Sequence, residues 1–140
     1  MGRIMAIDYG TRRCGIAVTD PTQTIASALD TVPTKSIFEY LHHYTTKEEV
    51  ALIIVGEPKR LNNTDSETTR MVHGFCRLLQ TKFPAIPVRL FDERFTSKIA
   101  SRSLLESGQS RKVRRDKGVL DRVSATILLQ DYLTSIPFKE

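Results

Sequence analysis

A chain of 140 residues, of which 40% are hydrophobic and 26% charged, has the size and balance of one globular domain, which excludes a disordered protein. Its apolar runs are of strand length, far below the roughly 20 residues of a membrane span, so no membrane partner is expected. The net charge is +5. The two cysteines, Cys14 and Cys76, lack CxxC spacing, which argues against a structural zinc site. Because cysteines are few and no signal peptide is recognised, the sequence predicts a reducing, cytoplasmic setting.

The first third of the chain predicts three strands joined by short connections. An apolar run at residues 4–7 ends at Asp8, a second strand follows at residues 15–19, and a third occupies residues 25–32. Because gaps this short hold no crossover helix, we expect an antiparallel meander.

The rest of the chain predicts helices that alternate with short strands. Apolar residues every three or four positions mark the helices, and continuous apolar runs mark the strands. In chain order we predict a helix at residues 36–47 capped by Thr34 or Ser36, a strand at 51–55, a helix at 65–83, a strand at 88–91, a helix at 96–106 and a last helix at 119–133. The inward side chains predicted for the helix at 65–83 are Met71, Phe75, Leu78 and Leu79.

This order of elements predicts an α/β fold with one mixed five-stranded sheet and helices on its faces. Right-handed crossovers would place the fourth strand beside the first. The carboxyl ends of the first, fourth and fifth strands should then lie close together, where ligand sites form in such sheets.

Three acidic residues occupy positions that this arrangement would bring together. Asp8 closes the first strand and Glu93 the last one. Asp121 shares a helical stripe with Ala125 and Leu128, a small and apolar face expected to lie against the sheet. Each residue also has an ordinary explanation: a turn cap, an ion pair with the neighbouring arginine, or the favourable start of a helix.

Several carboxylates in one place repel each other unless a cation holds them. Oxygen ligands with no histidine or cysteine nearby suit Mg²⁺ or Mn²⁺. Two such ions roughly 4 Å apart support phosphodiester hydrolysis, which makes a nuclease site one interpretation of the cluster.

Basic residues are concentrated near the last helix. Such a concentration is typical of a nucleic-acid partner, although a solvated basic loop is the competing interpretation. The candidate nucleic-acid-binding residues there are Arg111, Lys112, Arg114 and Arg115, and Arg12 and Arg13 in the first hairpin are weaker candidates.

Four motifs, in order and at family-like spacing, resemble those of the YqgF (RuvX) family of bacterial RNase-H-like proteins. They are DYGTRRCGIA at residues 8–17, VGEP at 55–58, DERFTS at 92–97 and KGVLDRVSA at 117–125. The family is described either as Holliday junction resolvases or as nucleases that mature the 5′ end of small-subunit ribosomal RNA. The resemblance implies catalytic and metal-binding roles for Asp8, Glu93 and Asp121, the residues that charge placement also indicates.

Supporting roles are more open. Glu57 stands where the family is often apolar, and it is either a further metal ligand or a solvated loop residue. Lys117 either contacts phosphate or caps a helix, and Arg94 either touches the substrate or pairs with a carboxylate. The glycine that commonly follows the fourth strand in the family is replaced here by the NNT stretch at residues 62–64.

The sequence therefore predicts a single RNase-H-like nuclease domain, residues 1–140, with a three-layer fold. A precursor of 16S ribosomal RNA is favoured as substrate over a four-way DNA junction. A non-catalytic ribosome-assembly or transcription factor is the alternative from another class, with ribosomal or processing factors as partners and a monomer or weak dimer as the assembly. Actin-like ATPases share an Asp-x-Gly-Thr loop, but their second lobe does not fit in 140 residues.

Overall fold

The structure, a computed structural model, describes residues 2–57, 67–92 and 117–135. The helix predicted at residues 96–106 and the basic residues Arg111 to Arg115 lie outside these ranges. The described elements are β1 (Arg3–Tyr9), β2 (Arg13–Thr19), β3 (Ala26–Pro33), a 3₁₀ turn (Thr34–Ser36), α1 (Ile37–Lys47), β4 (Val50–Glu57), α2 (Glu67–Lys82), β5 (Val88–Asp92) and α3 (Lys117–Ser135).

The five strands form one mixed sheet in the order β3-β2-β1-β4-β5. The first three strands are antiparallel neighbours, and β4 lies parallel to β1 and β5 parallel to β4. The predicted meander and the predicted place of the fourth strand beside the first are both confirmed. The parallel pairing aligns Ile7 with Val55, so the carboxyl ends of β1 and β4 lie at the same edge of the sheet.

The sheet separates two layers of helices, each with its own apolar core. Alternate residues of β1 face opposite ways, because successive side chains of a strand point to opposite faces. Met5 and Ile7 enter the larger core, under α1 and α2, whereas Ile4 and Ala6 lie under α3. β4 is buried on both faces, as its continuous apolar run predicts.

The inward face of α2 differs from the prediction. Met71 and Leu78 are 41% and 51% exposed, whereas Val72, Phe75 and Leu79 are buried. The apolar arc of this helix is wider than the strip that touches the sheet, so periodicity alone does not fix which side of the arc turns inward.

The predicted N-cap position of α1 at Ser36 is confirmed, but the side-chain hydrogen bond of a cap is not formed. Ser36 occupies the N-cap position but makes no side-chain hydrogen bond there. Thr34 instead donates its hydroxyl hydrogen bond to the carbonyl of Gly10, 2.6 Å away in the turn between β1 and β2. The hydroxyl therefore joins two distant parts of the chain and does not cap the helix.

Within residues 2–57, 67–92 and 117–135, no helix is both long enough and apolar enough to span a membrane.

Candidate functional site

Asp8 lies at the carboxyl end of β1, half-buried, on the face of the sheet that α3 covers. Its place on that face follows from strand alternation with Ile4 and Ala6, which pack under α3. Its antiparallel neighbour is Gly15, which has no side chain. Directly paired side chains in a sheet stand about 5 Å apart, so no side chain of the paired strand position stands beside Asp8.

The packing of α3 fixes where the start of this helix lies. Ala125 packs in one core with Ala6, and Tyr132, near the end of the helix, borders a pocket with Ile4 at the amino end of the sheet. The helix therefore runs opposite to β1. From Tyr132 back to Asp121 the helix rises roughly 16 Å, and from Ile4 to Asp8 the strand rises roughly 13 Å.

With this direction of the helix, the main chain at position 121 is expected near the end of the sheet where Asp8 lies. Because Asp121 is one helical turn before Ala125, it belongs to the stripe that faces the sheet. Its side chain is outside what the structure describes. That the two predicted ligands share an edge and a face stays a prediction.

The ends of β4 and β5 lie at the same edge. Glu57, the last residue of β4, is paired with Asp92, the last residue of β5. Glu93 comes next in the sequence and lies outside the described residues, as do Arg94 and the basic residues 111–115. Glu57 and Lys117 have described main chains only.

The donor chemistry of the site follows from where the other metal-binding residue types lie. All three histidines and both cysteines of the chain belong to the opposite layer. Cys14 and Cys76 pack in the core under α1 and α2, and the histidines are on those two helices. Carboxylates are therefore the strong metal ligands on the α3 side, and an all-oxygen set fits Mg²⁺ or Mn²⁺.

No group of three or more histidine, cysteine, aspartate or glutamate side chains forms a metal site among the described residues. Among the predicted ligands, Asp8 is the only one whose side chain the structure describes.

The turn between β1 and β2 begins two residues after Asp8. A Cβ atom at Gly10 would overlap the carbonyl oxygen of Arg13, so this tight turn requires glycine. Arg12 is exposed at the tip of the turn, and Arg13 is half-buried on the α3 face, since it lies two residues before Gly15 on β2. Two predicted nucleic-acid contacts are thus adjacent to Asp8 at the same edge.

Two aromatic residues near the acidic positions, Tyr9 and Phe91, pack against the cores. The ring of Tyr9 lies 4.6 Å from that of Phe75, and burial raises the pKa of the Tyr9 phenol. Phe91 meets Tyr132 edge-on at 5.9 Å. Core packing therefore accounts for both rings.

The sequence profile of the RuvX family, described as "Holliday junction resolvase", matches residues 2–135. The chain belongs to the RuvX (YqgF) family. A RuvX relative from Flavobacterium johnsoniae is 49% identical over 138 residues, which cover 99% of this chain and 100% of the relative. A second relative, from Bacteroides thetaiotaomicron, has the same identity and coverage, and each carries the name "Putative pre-16S rRNA nuclease".

The RuvX chain also resembles a solved structure of RuvC from Thermus thermophilus in complex with a Holliday junction substrate. The TM-score is 0.55 at 14% identity, with 96% of this chain and 98% of the RuvC chain covered. At this identity the likeness concerns the fold alone. Together with the observed sheet order, it confirms the predicted RNase-H-like architecture.

Proposed function

We propose that this chain is a divalent-metal-dependent endonuclease that acts as one RNase-H-like domain, residues 1–140, on the 5′ end of a 16S ribosomal RNA precursor. The observation that supports the proposal is the path of α3 across the sheet. With this path, position 121 is expected near the end of β1 that carries Asp8, on a face without histidine or cysteine.

Asp8 and Asp121 would hold the metal ions, and Glu93 would complete the ligand set. Bound in a pair, the ions would supply charge neutralisation and an activated water for in-line hydrolysis that leaves a 5′-phosphate and a 3′-hydroxyl. Glu57 is a further candidate ligand at the same edge, at the end of β4.

The chain's cationic residues would bind the substrate backbone. Arg12 and Arg13 lie in the turn next to Asp8, and the sequence places Lys117 one helical turn before Asp121. Arg94 and the basic residues of the connection to α3, which are Arg111, Lys112, Arg114 and Arg115, would extend this surface.

The substrate class rests on the names of the relatives, each "Putative pre-16S rRNA nuclease". A four-way DNA junction is the second candidate, because the matching family profile carries that description. A resolvase needs two symmetric cuts and hence a dimer, whereas a processing enzyme acts as the monomer or weak dimer proposed for this chain. Processing would take place in the cytoplasm, with ribosomal or processing factors as partners.

The test is a cleavage assay with Mg²⁺ or Mn²⁺ that offers a labelled ribosomal RNA precursor beside a synthetic four-way DNA junction. We expect metal-dependent cutting of the RNA, reduced at least about a hundredfold by Asp8→Asn and by Asp121→Asn. The matched control is Asp131→Asn, the same substitution in the same helix, ten residues beyond Asp121 and toward the opposite end of the sheet.

Cutting of the junction alone would replace the RNA substrate with DNA. Metal-independent cutting, or equal activity in the Asp8→Asn and Asp131→Asn proteins, would contradict the proposed site. Tight RNA binding with no cleavage under any metal would make the protein a binding factor on an enzyme's fold.

A further inference from the structure

We propose that Thr34 is a positioning residue that holds the arginine-bearing turn of residues 10–13 in the conformation that binds the nucleic-acid backbone. The inference rests on the proposed nucleic-acid function. It adds to that function a residue outside the motifs described above, the first residue of the 3₁₀ turn that follows β3.

Thr34 holds the turn at two points. Its hydroxyl donates to the carbonyl of Gly10 at 2.6 Å, and its main-chain N–H donates to the carbonyl of Arg12 at 2.9 Å. These two carbonyls lie on either side of Thr11, so Thr34 alone fixes the orientation of both peptide groups around the tip of the turn.

A third contact joins the Thr34 hydroxyl to the core. The Cys14 sulfur, on a fully buried side chain, lies 3.5 Å from the Thr34 hydroxyl oxygen. Since the hydroxyl has a single proton and gives it to Gly10, the thiol is the donor in this contact. The chain of donors runs from Cys14 through Thr34 to Gly10 and anchors the turn to the core.

The turn is the part of the chain where such an anchor would affect binding. Arg12 is exposed at its tip, and Arg13 lies on the α3 face near Asp8. A turn held in its bound conformation loses less conformational entropy when it binds a phosphate. Removal of the hydroxyl should therefore weaken substrate binding through Arg12 while the metal-binding carboxylates stay in place.

The experiment compares Thr34→Val, which loses the hydroxyl, with Thr34→Ser, which keeps it. The probe is the RNA precursor, with affinity measured by fluorescence anisotropy over a range of salt concentrations and turnover measured separately. We expect Thr34→Val to raise Kd and KM about three- to tenfold with kcat changed less than about twofold. The slope of log K against log salt should fall by about one phosphate contact, and Thr34→Ser should restore both.

The matched control is Thr46→Val, which removes a hydroxyl that donates to the His43 carbonyl at the same 2.6 Å in α1, away from the turn. Its affinity and salt slope should equal those of the wild type. A merely structural role of Thr34 would lower the folded fraction but leave the salt slope of the folded protein unchanged. Should Thr34→Val not fold, as judged by circular dichroism, the smaller Thr34→Ala takes its place.

A double-mutant cycle with Arg12→Ala distinguishes the remaining outcomes. If Thr34 acts through Arg12, its substitution has no further effect on affinity in the Arg12→Ala background. Equal effects in both backgrounds, or wild-type affinity and slope in Thr34→Val, would overturn the inference. Absence of RNA binding by the wild type would instead contradict the proposed function.

Discussion

The contact between α3 and the sheet includes three alanines among larger apolar residues, and enlarging one of these alanines should separate the helix from the sheet. Ala125 on α3 and Ala6 and Ala17 on the strands are all 0% exposed and belong to one core. Ala125→Leu adds three carbon atoms at this contact. With no exposed side to expand into, the helix must move away from the sheet or the strands must shift.

Overpacking of this kind costs about 1–3 kcal/mol of unfolding free energy. Leucine and alanine differ by only a few tenths of a kcal/mol in helix propensity, so the steric effect dominates. For a chain of this length the expected fall in Tm is about 4 °C per kcal/mol, or roughly 4–12 °C in total.

The assay is urea unfolding followed by circular dichroism, with Gln130→Leu as the control because Gln130 is exposed on the same helix. A second readout is RNA cleavage at a temperature where both variants are fully folded. Because α3 carries Asp121, displacement of the helix by about 1 Å should reduce kcat roughly ten- to a hundredfold in Ala125→Leu alone.

An unchanged unfolding midpoint would refute the close contact of helix and sheet. A lowered midpoint with full activity in the folded protein would refute the link between this contact and the position of Asp121. Equal effects of Ala125→Leu and Gln130→Leu would indicate that leucine at any position of α3 lowers stability or kcat.

Three further predictions follow from titrating groups. Hydrogen bonds from Thr22 and from the Ile25 and Thr24 amides hold the pKa of Asp20 well below its ordinary value of 3.8. The stabilising effect of the Asp20 carboxylate is therefore present above about pH 4 and lost as the pH falls through the lowered pKa. Asp20→Asn should flatten the acid side of a plot of unfolding free energy against pH. Burial, followed by the charge of Asp30, raises the pKa of Tyr40 to about 12, so stability should decline as the pH rises from 10 toward 12. Burial raises the pKa values of Tyr9 and Tyr44 as well, so Tyr40→Phe should reduce that decline and remove the tyrosinate absorbance of one residue. Burial raises the pKa of Asp131, so its charged form opposes folding above that pKa, and Asp131→Asn should leave Tm at pH 7 unchanged or slightly higher.

Much of the fold could be predicted because short connections and apolar runs leave few arrangements. The gaps around β2 are too short for a helix, which fixes the meander. The crossover from β3 through α1 returns to the only open side of β1, because β2 occupies the other. Local pattern and chain connectivity therefore agree on the sheet order.

The inward face of α2 and the role of Thr34 could not be predicted, for a common reason. Each depends on a partner distant in the sequence. Val72 replaces Met71 in the core because of where β4 and β5 lie under the helix, and Thr34 binds Gly10 across 24 positions of the chain. A threonine before a helix is ordinarily an N-cap, so the local signal indicated the wrong partner.

The proximity of the candidate ligands stays a prediction, and it depends on the same contacts that stabilise the fold. An aspartate on the buried stripe of α3 is costly unless a cation or polar partner compensates its charge. The small residues that follow it let the helix lie close to the strands. Close packing would then bring the start of α3 to the end of β1, where Asp8 is paired with Gly15. A helix kept at a distance by larger residues would leave both carboxylates hydrated and apart, so the small residues of this contact are as necessary to the proposed metal site as its ligands.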